Sequence, residues 1–213
     1  MIVRGRTSLK RRGFTLVELL VVVSVIAILL AIILPSMRSA RQSAKRTACG
    51  AQLKQIGIGF IAYLDSSNDR LPFASYLPSV DPAPLVNTIY IADVLLPQLN
   101  KQNKVLQCPD DKAGRYDRGA PNDNKSYFES EKSSYEYRMD GRPGSPGIGN
   151  MVMGHTITEA VKAFEERFGH PIPVNSLYLM RDYRNFHTRD EKSATGARRY
   201  LYIDGHVADY EQL

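Results

Sequence analysis

The sequence predicts an α+β fold: one long N-terminal helix, apolar in its first half, packed on a small antiparallel sheet with long loops. Three observations predict it. Phe14 to Leu34 is an apolar run with a single charge, Glu18, and Ser36 to Leu64 carries on with helical periodicity. Thr156-Ile157-Thr158-Glu159 has the spacing of a helix capping box. Near the C-terminus, Tyr200–Ile203, Asp204-Gly205 and His206–Tyr210 form the pattern of a β-hairpin with a type I′ turn.

The apolar run reads FTLVELLVVVSVIAILLAIIL. At about 1.5 Å per residue it covers roughly 30 Å, the thickness of one hydrocarbon core. Arg4, Arg6, Lys10, Arg11 and Arg12 precede it, with no acid among them. The positive-inside rule keeps that end in the cytoplasm and sends the remainder outward. Thr15 and Ser24 can return their hydroxyls to the helix backbone. A cleaved secretory signal would have a shorter apolar region and a small-residue site at its far end, but Pro35-Ser36-Met37-Arg38 follows here. A plain anchor accounts for the length and the arginines but not for Glu18, because a carboxylate near the bilayer centre costs about 3 kcal/mol and less toward the interface. A position in the wet headgroup zone is the bland explanation of Glu18.

The stretch Arg11-Arg12-Gly13-Phe14-Thr15-Leu16-Val17-Glu18, the apolar run and Pro35 together resemble the prepilin signal of type IV pilins and type II secretion pseudopilins. The resemblance implies cleavage by a prepilin peptidase between Gly13 and Phe14, N-methylation of Phe14, and a mature chain with Glu18 as its fifth residue. It also implies that Glu18 pairs with the amino terminus of a neighbouring subunit during filament assembly. In low dielectric such a pair is stronger than in water. Glycine, lacking a side chain, suits an extended substrate in a tight protease site. Residues 1–13 are then a cleaved basic leader. Residues 14–64 form the long helix, with 14–34 transmembrane, and 65–213 form a domain on the periplasmic or other extracytoplasmic side of the inner membrane. Pro35 is either a helix stop or a kink, and the periodicity after it favours a kink or a locally melted turn.

The net charge of +6 would ordinarily suggest nucleic acid or an acidic surface. Loss of the five leader cations lowers it to +1. Setting aside Glu18 and the juxtamembrane Arg38, Arg41, Lys45, Arg46 and Lys54 leaves 18 basic and 21 acidic residues, so the outer part is mildly acidic and nucleic acid is not an expected partner. The juxtamembrane cations either meet lipid headgroups or pair with acids of neighbouring subunits.

Along the rest of the chain, Ala40, Ala44, Ala48, Leu53, Ile56, Phe60 and Leu64 trace the stripe expected to pack on the domain. Gly50, Gly57 and Gly59 weaken the helix but permit close approach. Asp65–Asp69 ends it. A proline-rich loop runs to Pro84 and a short helix is expected over 87–99. Val105–Pro109 reads as a short strand, and residues 110–150 as polar loops around one or two strands. Gly144–Gly149 is a poor phosphate loop, because no Lys-Ser/Thr follows it. After the capping box, Ile157, Val161, Phe164 and Phe168 share a face that Gly169-His170-Pro171 terminates. Ser176–Met180 is a strand. No internal repeat is evident.

Cys49 and Cys108 both lie outward of the membrane, where a disulfide would persist. A bridge between helix and strand and a pair of buried thiols are both open. His187, Asp204 and His206, with Asp182 and Asp209, invite a metal reading. A subset of prepilin-like proteins is similar here, but its histidine lies closer to the Asp-Gly turn. Turn chemistry already accounts for Asp204-Gly205. No metal or other cofactor is expected, and Asp182 and Asp204 are the weak candidates under hard-cation chemistry. Asp110-Asp111 reads as a solvated turn. No nucleophile elbow, zinc-protease motif or carboxylate pair in a persuasive catalytic context is present, so the chain is not expected to be an enzyme.

The functional expectation is a prepilin-like subunit of a type II secretion pseudopilus or type IV pilus-like filament. Its partners would be the prepilin peptidase, other pilin or pseudopilin subunits and the inner membrane. The alternative is a minor subunit that primes assembly or binds a secreted substrate or surface through the loop from Asp110 to Asn150. An enzyme merely anchored by the helix is the third possibility.

Overall fold

The computed structural model describes residues 14–74, 89–112, 125–137, 153–183 and 198–209. The chain divides into two compact units, Met1–Gln42 and Ser43–Leu213. Helix α1, Leu16–Ser66, belongs to both, and Pro35 lies inside it. The melted turn expected at Pro35 is therefore corrected: the helix is regular on both sides. Proline still removes one backbone donor there. Ser36 Oγ donates to the Ile33 carbonyl at 2.8 Å within the same turn.

In the first unit, the side chains of 14–37 are exposed throughout, and the segment is long and apolar enough to cross a membrane. No amphipathic face develops there, which is what lipid on all sides requires.

In the second unit, α1 buries Cys49, Leu53, Ile56, Phe60 and Leu64 with Gly50, Gly57 and Gly59. The expected stripe thus begins lower: Ala40 and Ala44 are exposed and Ala48 only half-buried. Gly57 is there because α1 and the sheet approach too closely for a side chain. A Cβ at that position would lie 2.8 Å from Leu201 Cδ1.

Among the described residues, four strands form one antiparallel sheet in the order β1 (Tyr135–Tyr137), β2 (Tyr178–Asp182), β3 (Tyr200–Tyr202), β4 (Val207–Ala208). Tyr135 pairs with Asp182 and Arg181 with Tyr200, and an irregularity between Tyr178 and Met180 shifts the β2–β3 register. One side of the sheet sends Tyr135, Tyr137, Met180, Leu201 and Ile203 into the core with α1. Tyr135 Oη donates to the Gln52 amide oxygen at 2.8 Å, so the ring is buried while its hydroxyl is satisfied. Tyr178, Tyr200 and Tyr202 form a separate cluster. The Glu136 carboxylate and the Arg181 guanidinium, opposite one another across β1 and β2, make a buried ion pair. The Arg181 guanidinium also lies 5.6 Å from the Tyr178 ring centre.

The hairpin forms, but its turn differs from the expectation. Tyr202 N–H donates to the His206 carbonyl and Gly205 N–H to the Tyr202 carbonyl, each at 2.9 Å, leaving a three-residue loop. Gly205 has φ +83° while Asp204 stays at negative φ, so this is not a type I′ turn. Asp204 instead accepts the His206 backbone N–H at 3.0 Å, which holds the aspartate in its ordinary conformation.

Helix α2, Ile91–Leu95, is shorter than the expected 87–99, of which 87 and 88 lie outside the described residues. The Val105–Pro109 strand is corrected to a 3-10 turn, Asn103–Leu106, followed by a loop; Leu106 and Cys108 are drawn into the core there. The short helix α3, Tyr127–Glu131, was not expected from the sequence, although Ser126-x-x-Glu129 is a capping box. Helix α4, Ile157–Phe168, has its box at Thr156 and Glu159 and ends on Gly169 at φ +73°. Its buried face centres on Ala160 and Phe164, with Ile157 and Val161 half-buried. Strand β2 starts two residues later than expected because Val174–Ser176 makes a 3-10 turn. Gly144–Gly149 lies outside the described residues.

Two residues of α1 test this packing. Phe60 is fully buried, its ring 5.7 Å from Tyr137, whereas Ile58 is 66% exposed. Phe60→Ala is expected to lower the stability of the second unit by about 3–5 kcal/mol, and Ile58→Ala by less than about 0.5 kcal/mol, in denaturant titrations of the full chain in detergent.

Candidate functional site

The candidate site begins where α1 begins. Its first-turn N–H groups have no helical partner. Thr15 supplies one. The Glu18 N–H donates to Thr15 Oγ1 at 3.2 Å, and Glu18 Oε2 accepts from Thr15 N–H at 2.9 Å and from the Thr15 hydroxyl at 2.7 Å. This is a reciprocal capping box, with the carboxylate in the first turn where the helix dipole favours it. Both hydroxyls return to the helix backbone as expected, Thr15 Oγ1 as acceptor of the Glu18 N–H and Ser24 Oγ as donor to the Leu20 carbonyl at 2.7 Å. The Thr15-x-x-Glu18 spacing is the same as that of Thr156-x-x-Glu159, so the box was legible in the sequence and was missed. Phe14 is 73% exposed, and Gly13 lies outside the described residues.

A second cluster ties α1 to the rest of the unit Ser43–Leu213. Cys49 and Cys108 are joined by a disulfide, with their Cα atoms 5.3 Å apart. Both residues are buried, and the closed loop spans 59 residues. The Lys45 ammonium lies 2.6 Å from Asp110, and the guanidiniums of Arg46 and Arg199 share Asp209 Oδ1. Arg199 also crosses Gly50, where a Cβ would lie 3.2 Å from its Nη2. The juxtamembrane cations are thus of two kinds. Lys45 and Arg46 are bound by acids of their own domain, while Arg38, Arg41 and Lys54 are exposed.

Asp110-Asp111 is not the solvated turn the sequence suggested, since both residues are buried. Asp111 accepts from the Ser134 hydroxyl at 2.6 Å and from the N–H groups of Tyr127 and Phe128 at 3.1 and 2.8 Å. It caps α3 from a distant part of the chain, which is why local spacing could not reveal it. Burial raises its carboxyl above the ordinary value, against the opposing effect of those hydrogen bonds.

The metal candidates are not brought together. Asp182 is fully buried and accepts from Arg199 N–H at 2.9 Å, at one end of β2. Asp204 sits in the hairpin loop beside Ile203, whose N–H donates to the Leu177 carbonyl just before the other end of β2. His206 stacks on Tyr202 with ring centres 4.2 Å apart and faces Asp204, while His187 lies outside the described residues. Among the described residues, no group of three or more metal-ligating side chains occurs.

Two measurements test this region. Replacing both cysteines with serine is expected to lower the stability of the second unit by about 2–4 kcal/mol, with the same loss on reducing the wild type and no further loss on reducing the variant. For Asp111, a raised folded-state carboxyl binds its proton more tightly than the unfolded chain does. Stability on its account therefore falls as pH rises from the unfolded to the folded value, then levels. Glu129 and Glu159 act oppositely, since their capping hydrogen bonds lower them and their contribution is lost on acidification. Melting temperatures against pH should lose only the Asp111 component in Asp111→Asn.

Comparison of the whole chain with curated proteins and with solved structures found no match. Residues 8–34 do match a family model, that of the prokaryotic N-terminal methylation motif. The matched stretch contains the Gly13-Phe14 junction, the Thr15–Glu18 box and the apolar run to Leu34. The chain therefore carries the signature of prepilin-type signals, the signals of type IV pilins and pseudopilins.

Proposed function

We propose that this chain is a prepilin-like subunit, cut by prepilin peptidase between Gly13 and Phe14, N-methylated at Phe14, and assembled into a type II secretion pseudopilus or type IV pilus-like filament. The observation that carries the proposal is the methylation motif over residues 8–34, set directly on a helix apolar enough to cross a membrane. On this proposal residues 1–13 are the cytoplasmic leader, 14–34 the inner-membrane span within a 14–64 helix, and 65–213 the outward domain.

The geometry around Glu18 supports an assembly role. Thr15 occupies Oε2 only, and among the described residues Oε1 accepts no hydrogen bond. One carboxylate can therefore stay capped within its own subunit and still receive the cationic amino terminus of a neighbouring Phe14. Thr15 and Glu18 both lie on the mature side of the cut, so processing leaves the box intact. The binding role proposed for residues 110–150 falls largely outside the described residues, and no observation favours it.

The test is incorporation. Glu18→Val should still insert in the membrane and still be processed, but should be lost from sheared filaments. Incorporation at the wild-type level would contradict the role given to Glu18.

A further inference from the structure

We infer that Arg38 and Arg41 form a headgroup-binding pair that takes the phosphates of anionic phospholipids in the outward leaflet, an inference that rests on the membrane span proposed above. Arg38 and Arg41 lie four and seven residues beyond Leu34, about 6 and 10 Å along a helix. The polar layer on each face of a bilayer is about 5–8 Å thick, and arginine reaches along its stem to place its guanidinium in that layer. Both side chains are exposed, and neither takes part in an ion pair among the described residues.

The contrast with Lys45 and Arg46 carries the argument. All four cations follow one apolar segment, yet Asp110 and Asp209 serve only the latter two. Lys45 and Arg46 have acids within their own unit, whereas Arg38 and Arg41 belong to the unit of the apolar segment and, on the span proposed above, reach the headgroup layer. A guanidinium binds phosphate through two parallel N–H donors, and two arginines three residues apart share a helix face. The pair lies on the mature side of the Gly13-Phe14 cut proposed above, so it stays with the subunit after processing.

The full chain would be reconstituted in vesicles of equimolar phosphatidylcholine and phosphatidylglycerol, extracted in mild detergent, and its retained lipid measured by mass spectrometry. Wild type should retain phosphatidylglycerol over phosphatidylcholine, with the ratio falling on the order of fivefold or more in Arg38→Gln/Arg41→Gln. Lys45→Gln/Arg46→Gln should keep the wild-type ratio. An unchanged ratio in the Arg38/Arg41 variant overturns the inference. So does loss of copy-to-copy cross-linking with lipid unchanged, which would assign the arginines to an acid of a second copy. Release of the wild-type chain by alkaline carbonate would overturn the membrane span itself, which distinguishes that failure from the failure of lipid binding alone.

Discussion

One helix carries two kinds of surface in this chain, apolar and exposed all round in its first part and buried along one face in its second, and the division of its side chains follows that change. Over Phe14–Met37 no face of α1 is buried, and a segment long and apolar enough to cross a membrane must satisfy its polar groups from within if lipid surrounds it. The helix meets the demand locally: Thr15 and Glu18 cap each other, and the Ser24 and Ser36 hydroxyls return to backbone carbonyls. From Cys49 onward the same helix has a buried face of Leu53, Ile56, Phe60 and Leu64, and glycines wherever the sheet or a loop comes too close for a side chain.

Between these regimes the chain uses stronger ties than apolar contact alone. Leu106, Cys108, Asp110 and Asp111 follow one another closely and engage the core, the disulfide, Lys45 and the cap of α3 respectively. The sheet beside them is short, with strands of two to five residues among those described. Such a sheet has little hydrogen bonding of its own, so its place depends on what the helix and this loop hold. The disulfide constrains the unfolded chain as well as the folded one, and the effect grows with the closed loop.

The periodic features were legible in the sequence because their causes are local. The apolar run, the α4 capping box with Gly169, and the Tyr200–Ala208 hairpin each depend on residues a few positions apart. The turn type was not legible, because an Asp204 side-chain bond to His206 competes with the positive φ a type I′ turn requires. Val105–Pro109 reads as a strand by composition but is bent by the disulfide and by Leu106 in the core. Asp111 looks solvated in sequence because its acceptors' partners, Tyr127, Phe128 and Ser134, are distant in the chain. Of the candidate site, the Gly13-Phe14 junction and Glu18 entered through the resemblance of residues 11–18 to prepilin signals, the stretch that the methylation-motif match over 8–34 covers. The Thr15 partner was readable too, since Thr15-x-x-Glu18 has the capping-box spacing.

The central claim is that the chain passes through prepilin processing on the way to a filament. The most direct measurement is the mass of the N-terminal peptide of the protein taken from native membranes. The account predicts a chain that begins at Phe14 and carries one methyl group on its amino terminus. An intact leader through Gly13, in cells whose prepilin peptidase is active on other substrates, would contradict it.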